Sequence, residues 1–191
     1  MTFDFAAARN TMVETQVRVN DVTNIAIQAA MRSVPREGLC LGGKTYMAYA
    51  DAEVEYAPGR WLLRPRDGSK LLQAIAPRAG ERALAVAAPY LALVLEHMGL
   101  TVTRAEADDL AAAPGGDSFD VIVCEGAVGA VPAAWTAALA EGGRLAVIVR
   151  DGPVGKVRLY QRAGADLGYR EVFDAAPPVL AGLDAEPSFT F

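Results

Sequence analysis

Histidine and cysteine are scarce: the 191 residues contain one histidine, His97, and two cysteines, Cys40 and Cys124. This leaves little from which to build a metal centre of imidazole and thiolate, and the cysteines show no ligand spacing. Two distant thiols give no disulfide framework and read as reduced thiols of a cytoplasmic protein. His97 sits in a helical stretch without a cluster of partners, which argues against an imidazole base. Positive charge is in deficit, with 18 Lys and Arg against 23 Asp and Glu, a formal net charge of −5. That balance disfavours non-specific attraction to nucleic acid or an anionic membrane. Long apolar runs are missing; the longest, Ala83 to Leu95, is shorter than a bilayer span and contains Pro89. The opening MTFDFAAARN lacks the basic-then-apolar order of a secretion signal. No internal repeat or low-complexity tract is found.

What remains is a globular composition, 52% hydrophobic and 21% charged, in a length suited to a single core. The chain divides into a helical N-terminal segment with loops, residues 1–78, packed on an α/β core, residues 79–191. In the first part, Asn20 to Thr23 offer capping side chains, and Ile27, Ala30, Met31 and Val34 follow at helical spacing. Pro35 ends that helix. Residues 38–68 read as loops with at most short strands, and Ser69 to Ile75 as a short helix.

From Arg82 the pattern alternates. Ala83 to Ala87 predicts a strand, Leu91 to Met98 a helix ended by Gly99, and Thr101 to Ala105 a second strand. Asp120 to Cys124 is apolar on both faces, as a central parallel strand requires. A helix over Ala133 to Ala140 and a strand over Arg144 to Val149 follow. Such alternation predicts a mostly parallel sheet with right-handed crossovers. Val157 to Arg162 and Tyr169 to Phe173 predict an antiparallel pair at one sheet edge, with a last strand at Ser188 to Phe191.

Several stretches carry a resemblance. MVETQVRVNDVT, AAMRSVPRE (Ala29 to Glu37), AYAD (Ala48 to Asp51), the run from Phe119 to Val149, GPVGKVRLYQR and VFDAAPPVLAGL are similar to segments of the protein-L-isoaspartate O-methyltransferases, in particular a bacterial branch. The resemblance covers nearly the whole chain. It implies a Rossmann-like class I methyltransferase fold, S-adenosylmethionine as cofactor, and methyl transfer to isoaspartyl carboxylates. That chemistry is direct displacement by a carboxylate already ionised at neutral pH, so it needs positioning more than a general base.

Three departures from the family coincide with its functional parts. Its glycine-rich turn is replaced by AVAAPY, about two residues shorter, with Pro89 fixing φ and removing a donor. Only residues 107–118 separate Glu106 from Phe119, which predicts loss of about one strand-helix unit after residue 106 and leaves the second strand near a sheet edge. In place of the family's small hydroxyl residue stands Leu63, within GRWLLRP.

The resemblance points to Ala87, Tyr90, Glu106, Glu125 and Gly126 as the cofactor-binding positions, vestigial here, and to Arg60, Trp61 and Leu63 as substrate-binding positions. No residue is assigned as catalytic and none as a metal ligand. Tyr90 reads as filling cofactor volume, Cys124 as a buried structural thiol, and Arg60, Arg64 and Arg66 as either an anion site or a solvated loop. Two functions follow. The first is a non-catalytic descendant without bound cofactor, acting through a protein partner or as a homo-oligomer, with the shortened edge and Trp61-Leu62-Leu63 as contact regions. The second is an active S-adenosylmethionine-dependent protein-L-isoaspartate (D-aspartate) O-methyltransferase with a divergent pocket.

Overall fold

The computed structural model describes residues 4–106, 109–113 and 118–185. Helix α1, Phe5–Met12, is capped by the Asp4 carboxylate, which accepts from the Ala7 amide. It runs into a wider turn over Val13–Val17 and a tight one over Arg18–Asn20. Helix α2 spans Ile25–Ser33. Its cap is Asn24, not a residue of 20–23, because only the Asn24 carboxamide reaches the amides of Ala26 and Ile27. Val34 lies just past the helix, in extended backbone before Pro35.

Strands β1, Val54–Ala57, and β2, Arg60–Leu62, form a hairpin about Pro58-Gly59, where Gly59 has φ 70°. Helix α3, Pro65–Ile75, begins four residues before the expected Ser69, with Pro65 in its first turn where a missing N–H costs nothing.

The main sheet has six strands: β3 Arg82–Val86, β4 Thr101–Ala105, β5 Phe119–Val128, β6 Leu139–Val149, β7 Gly155–Ala163 and β8 Asp166–Ala175. Their spatial order is β4-β3-β5-β6-β7-β8; the first four are parallel and the last two antiparallel. This is the expected α/β class with an antiparallel C-terminal pair. β4 is an edge strand, and among the described residues between it and β5 there is only a turn at Leu110-Ala111. The predicted strand at 188–191 lies outside the described residues.

Helix α4, Pro89–His97, connects β3 to β4. Helix α5 is shorter than predicted, Ala133–Ala137, because β6 already begins at Leu139 to pair with Phe119. β5 and β6 are correspondingly longer than their apolar cores suggest.

Apolar side chains fill both sides of the sheet. One core joins Met12, Ile27 and Met31 of the N-terminal segment to Leu71, Leu91, Val121 and Ile148, so residues 1–78 and 79–191 share it. The other packs Leu84, Ile122 and Leu145 against Trp135 and Leu180. The Trp135 indole donates to the Leu110 carbonyl at 2.9 Å and holds the short β4–β5 connection against this second core.

Candidate functional site at the carboxyl edge of the sheet

In an open parallel sheet the natural ligand crevice lies beyond the carboxyl ends of the strands, where successive connections leave a strand on opposite sides. Here that point is the gap between β3 and β5, since β4 lies on the far side of β3. Register pairs Val86 with Ala105 on one side and with Cys124 on the other. The next residues, Glu106, Ala87 and Glu125, therefore stand in one row across three strands. Five of the expected cofactor positions, Ala87, Tyr90, Glu106, Glu125 and Gly126, thus converge on one edge.

The turn from β3 into α4 carries the strain expected of an alanine where glycine would be at ease. Ala87 has φ 43°, in the left-handed region, with its amide bonded to the Ala105 carbonyl at 2.8 Å. Ala87 and Ala88 are completely buried. Pro89 opens α4 without an amide, so the first available donors are the amides of Tyr90 and Leu91.

Those donors are taken. Glu125 Oε2 accepts from Tyr90 N at 2.9 Å and Leu91 N at 3.2 Å, and Oε1 faces Leu63 N at 3.4 Å. The carboxylate reaches this place because β5 is irregular around it: four steps from Val123 to Ala127 match two from Ala146 to Ile148. Glu125 is completely buried, and burial pushes its pKa up to about 7, against the opposing pull of Arg36 and the three amides. It stands at a helix N-terminus, where the dipole favours its negative form and burial opposes it. Glu125 thus fills the turn from within.

Arg36 supplies the countercharge from inside. It is 1% exposed, donates to the carbonyls of Ala48 (2.8 Å) and Leu63 (2.5 Å), and sets its guanidinium 4.9 Å from the centre of the Tyr90 ring. Tyr90 is buried as well, and among the described residues its hydroxyl has no hydrogen-bond partner. Nothing in the sequence marked Arg36 as part of this edge; an arginine directly after a proline reads as a loop cation until the fold encloses it.

The β1–β2 hairpin closes the outer side. The Tyr56 hydroxyl donates to Glu106 Oε2 at 3.1 Å, and Arg60 Nη1 donates to the Glu106 carbonyl at 2.7 Å. Burial, followed by the nearby charges of Glu106 and Glu125, raises the Tyr56 pKa and keeps the phenol protonated as a donor. Arg60, on β2 and not in a loop, is therefore part of a latch. Arg64 pairs with Glu53 and Arg66 with Asp67. Leu62 and Leu63 are buried, which removes them as the surface contacts expected of Trp61-Leu62-Leu63; Trp61 stays half-exposed. On the β5 side, Gly126 admits Leu180: a Cβ there would stand 2.7 Å from Leu180 Cγ.

Cys124 is buried next to Glu125, and burial raises its pKa, so it is a packed thiol without nucleophilic character. His97 ends α4, exposed and away from this edge. Among the described residues no three His, Cys, Asp or Glu side chains are grouped to hold a metal, and no helix is long and apolar enough to cross a membrane.

Sequence relatives decide the lineage. A protein-L-isoaspartate O-methyltransferase of Methylorubrum extorquens is 32% identical to this chain over 191 aligned positions, covering 85% of this chain and 83% of the relative. The chain belongs to the protein-L-isoaspartate O-methyltransferase family. A second relative of that name, from Methylorubrum populi, is 32% identical over 94% of this chain and 98% of its own length. Another, from Rhodopseudomonas palustris, is 30% identical over 83% and 74%. No family model matches. Among solved structures, a Plasmodium falciparum protein described as a putative isoaspartate methyltransferase, in complex with S-adenosyl-L-homocysteine, superposes with a TM-score of 0.73 at 15% identity, covering 90% of this chain and 97% of that one. At that identity the likeness shows the fold, which is the class I methyltransferase architecture.

Proposed function

We infer that this chain is a non-catalytic member of the isoaspartate methyltransferase family, one that does not hold S-adenosylmethionine and works through protein contacts. One observation carries the reading: the amides that open α4 at the crevice are already bound by the chain's own buried Glu125. A ligand placed there would have to displace that carboxylate, the enclosed turn at Ala87-Ala88 and the Tyr56–Arg60 latch on Glu106. The residues present do not fit the family cofactor. The two free thiols support a cytoplasmic location.

Family membership over most of the chain favours a second reading, an active carboxyl methyltransferase whose hairpin swings away to admit cofactor. Calorimetric titration with S-adenosylmethionine and S-adenosylhomocysteine separates the two. The expected result is no heat and no thermal stabilisation at saturating ligand, and no methyl ester on an isoaspartyl peptide above background. Tight binding of either compound overturns the first reading and establishes the second once turnover is seen.

A further inference from the structure

β7 and β8 form an antiparallel ribbon that outruns the core: every residue from Ala163 to Glu171 is exposed. β7 is held by β6 from Lys156 to Gln161, so beyond the Gln161–Gly168 pair the ribbon projects as two strands alone, which are marginal in water unless something else buries them. β8 is the outermost strand, and among the described residues no strand pairs with its free side. Edges of this kind are usually blunted by proline, lysine or a covering element. The stretch DLGYREVFDA, Asp166–Ala175, contains neither proline nor lysine.

Its side chains alternate by face. Asp166, Gly168 and Arg170 lie on one side, Leu167 and Tyr169 on the other, the last two 40% and 54% exposed. Lys156 is paired with Asp174, and Arg158 approaches Glu171 at 3.8 Å, whereas among the described residues Asp166 and Arg170 make no ion pair. The Gly168 position is open, with nothing within 4 Å of where a Cβ would stand.

We propose that this edge is self-complementary and pairs with β8 of a second copy of the chain, antiparallel, about a two-fold axis at Gly168. Like faces must stay on like sides of one continuous sheet, so only residues of the same parity can stand opposite each other. With the axis at Gly168, Asp166 of each copy faces Arg170 of the other, and Leu167 faces Tyr169. Opposite charges meet twice on one face, and an aliphatic–aromatic contact forms twice on the other. Moving the axis to Tyr169 leaves Arg170 against Gly168 and Leu167 against Glu171. Moving it to Arg170 sets arginine against arginine and Asp166 against Asp174. An axis at Val172 would also set Arg170 against Asp174, but Asp174 is already paired with Lys156, so the register at Gly168 is the one that pairs the two charges left without an ion pair among the described residues. The inference is independent of whether the chain binds a cofactor.

Sedimentation equilibrium of the full chain over a micromolar concentration series tests it, with far-UV circular dichroism confirming that each variant is folded. The wild type is expected to associate to a dimer. Asp166→Arg and Arg170→Asp each place like charges opposite one another at both symmetric contacts and weaken association tenfold or more. The double variant exchanges the signs and restores it. A wild type that stays monomeric, a dimer indifferent to the single substitutions, or a double variant no tighter than the singles overturns the proposal.

Discussion

Glu125→Gln should change how stability depends on pH more than it changes stability itself. The folded-state pKa of about 7 lies above the unfolded value of 4.5, with burial as the main cause. In the interval between those values the folded chain holds a proton that the unfolded chain has released. Stability therefore falls as pH rises through the interval, by roughly 3 kcal/mol when complete. Glutamine keeps an acceptor for the amides of Tyr90 and Leu91 but turns an NH2 toward Leu63 N, and so loses only the long third contact, which the protonated acid's oxygen still accepts. At about pH 5 the variant and the wild type should match within about 1 kcal/mol. At about pH 8 the variant should be more stable by about 2 kcal/mol or more.

Asp67 is the other buried carboxyl that rises on burial, and an Asp67→Asn control separates its share. Glu14 and Glu55 shift downward through their pairing with arginines and with Lys44, so they act below the interval. Cys124, Tyr56 and Tyr90 shift upward on burial and act above it. Urea unfolding followed by fluorescence of Trp61 and the buried Trp135 at both pH values supplies the numbers. Equal pH slopes for wild type and Glu125→Gln would refute the argument, since the carboxyl would then titrate alike in folded and unfolded chains.

Three further outcomes follow from the same contacts. Arg36→Met strands the carbonyls of Ala48 and Leu63 and leaves Glu125 without its countercharge; a loss of about 3–5 kcal/mol is expected by urea unfolding, along with a further rise in the Glu125 pKa. Ala87→Gly relieves a left-handed alanine and should stabilise by up to about 1 kcal/mol, yet calorimetry should still show no S-adenosylmethionine binding, because Glu125 and the hairpin remain in place. Trp135→Phe removes the donor to the Leu110 carbonyl and should cost about 1–2 kcal/mol in thermal or urea unfolding.

Much of the fold was legible because the pattern of apolar residues is local. The alternation from Arg82 onward located β3, α4, β4 and the centres of β5 and β6, and the polar gap at AGADLG marked the β7–β8 turn. Element ends were less legible, since they depend on partners distant in sequence. Asn24 caps α2 by the reach of one carboxamide, and β6 starts early because Leu139 pairs with Phe119. The row of candidate positions was legible as a set of strand ends. Their state was not: whether Glu125 faces solvent or a helix terminus depends on the irregularity in β5, and Arg36 became part of the edge only when Ala48 and Leu63 closed over it.

By itself the sequence determined the α/β class, the shortened β4–β5 connection and the loss of glycine at the turn, because periodicity, chain length and residue type are properties of the chain. Tertiary structure alone decided what occupies the turn at the crevice. A buried carboxylate, a buried guanidinium and a hairpin latch come from separate segments, and their charges interact strongly only after folding has brought them together and removed the water between them.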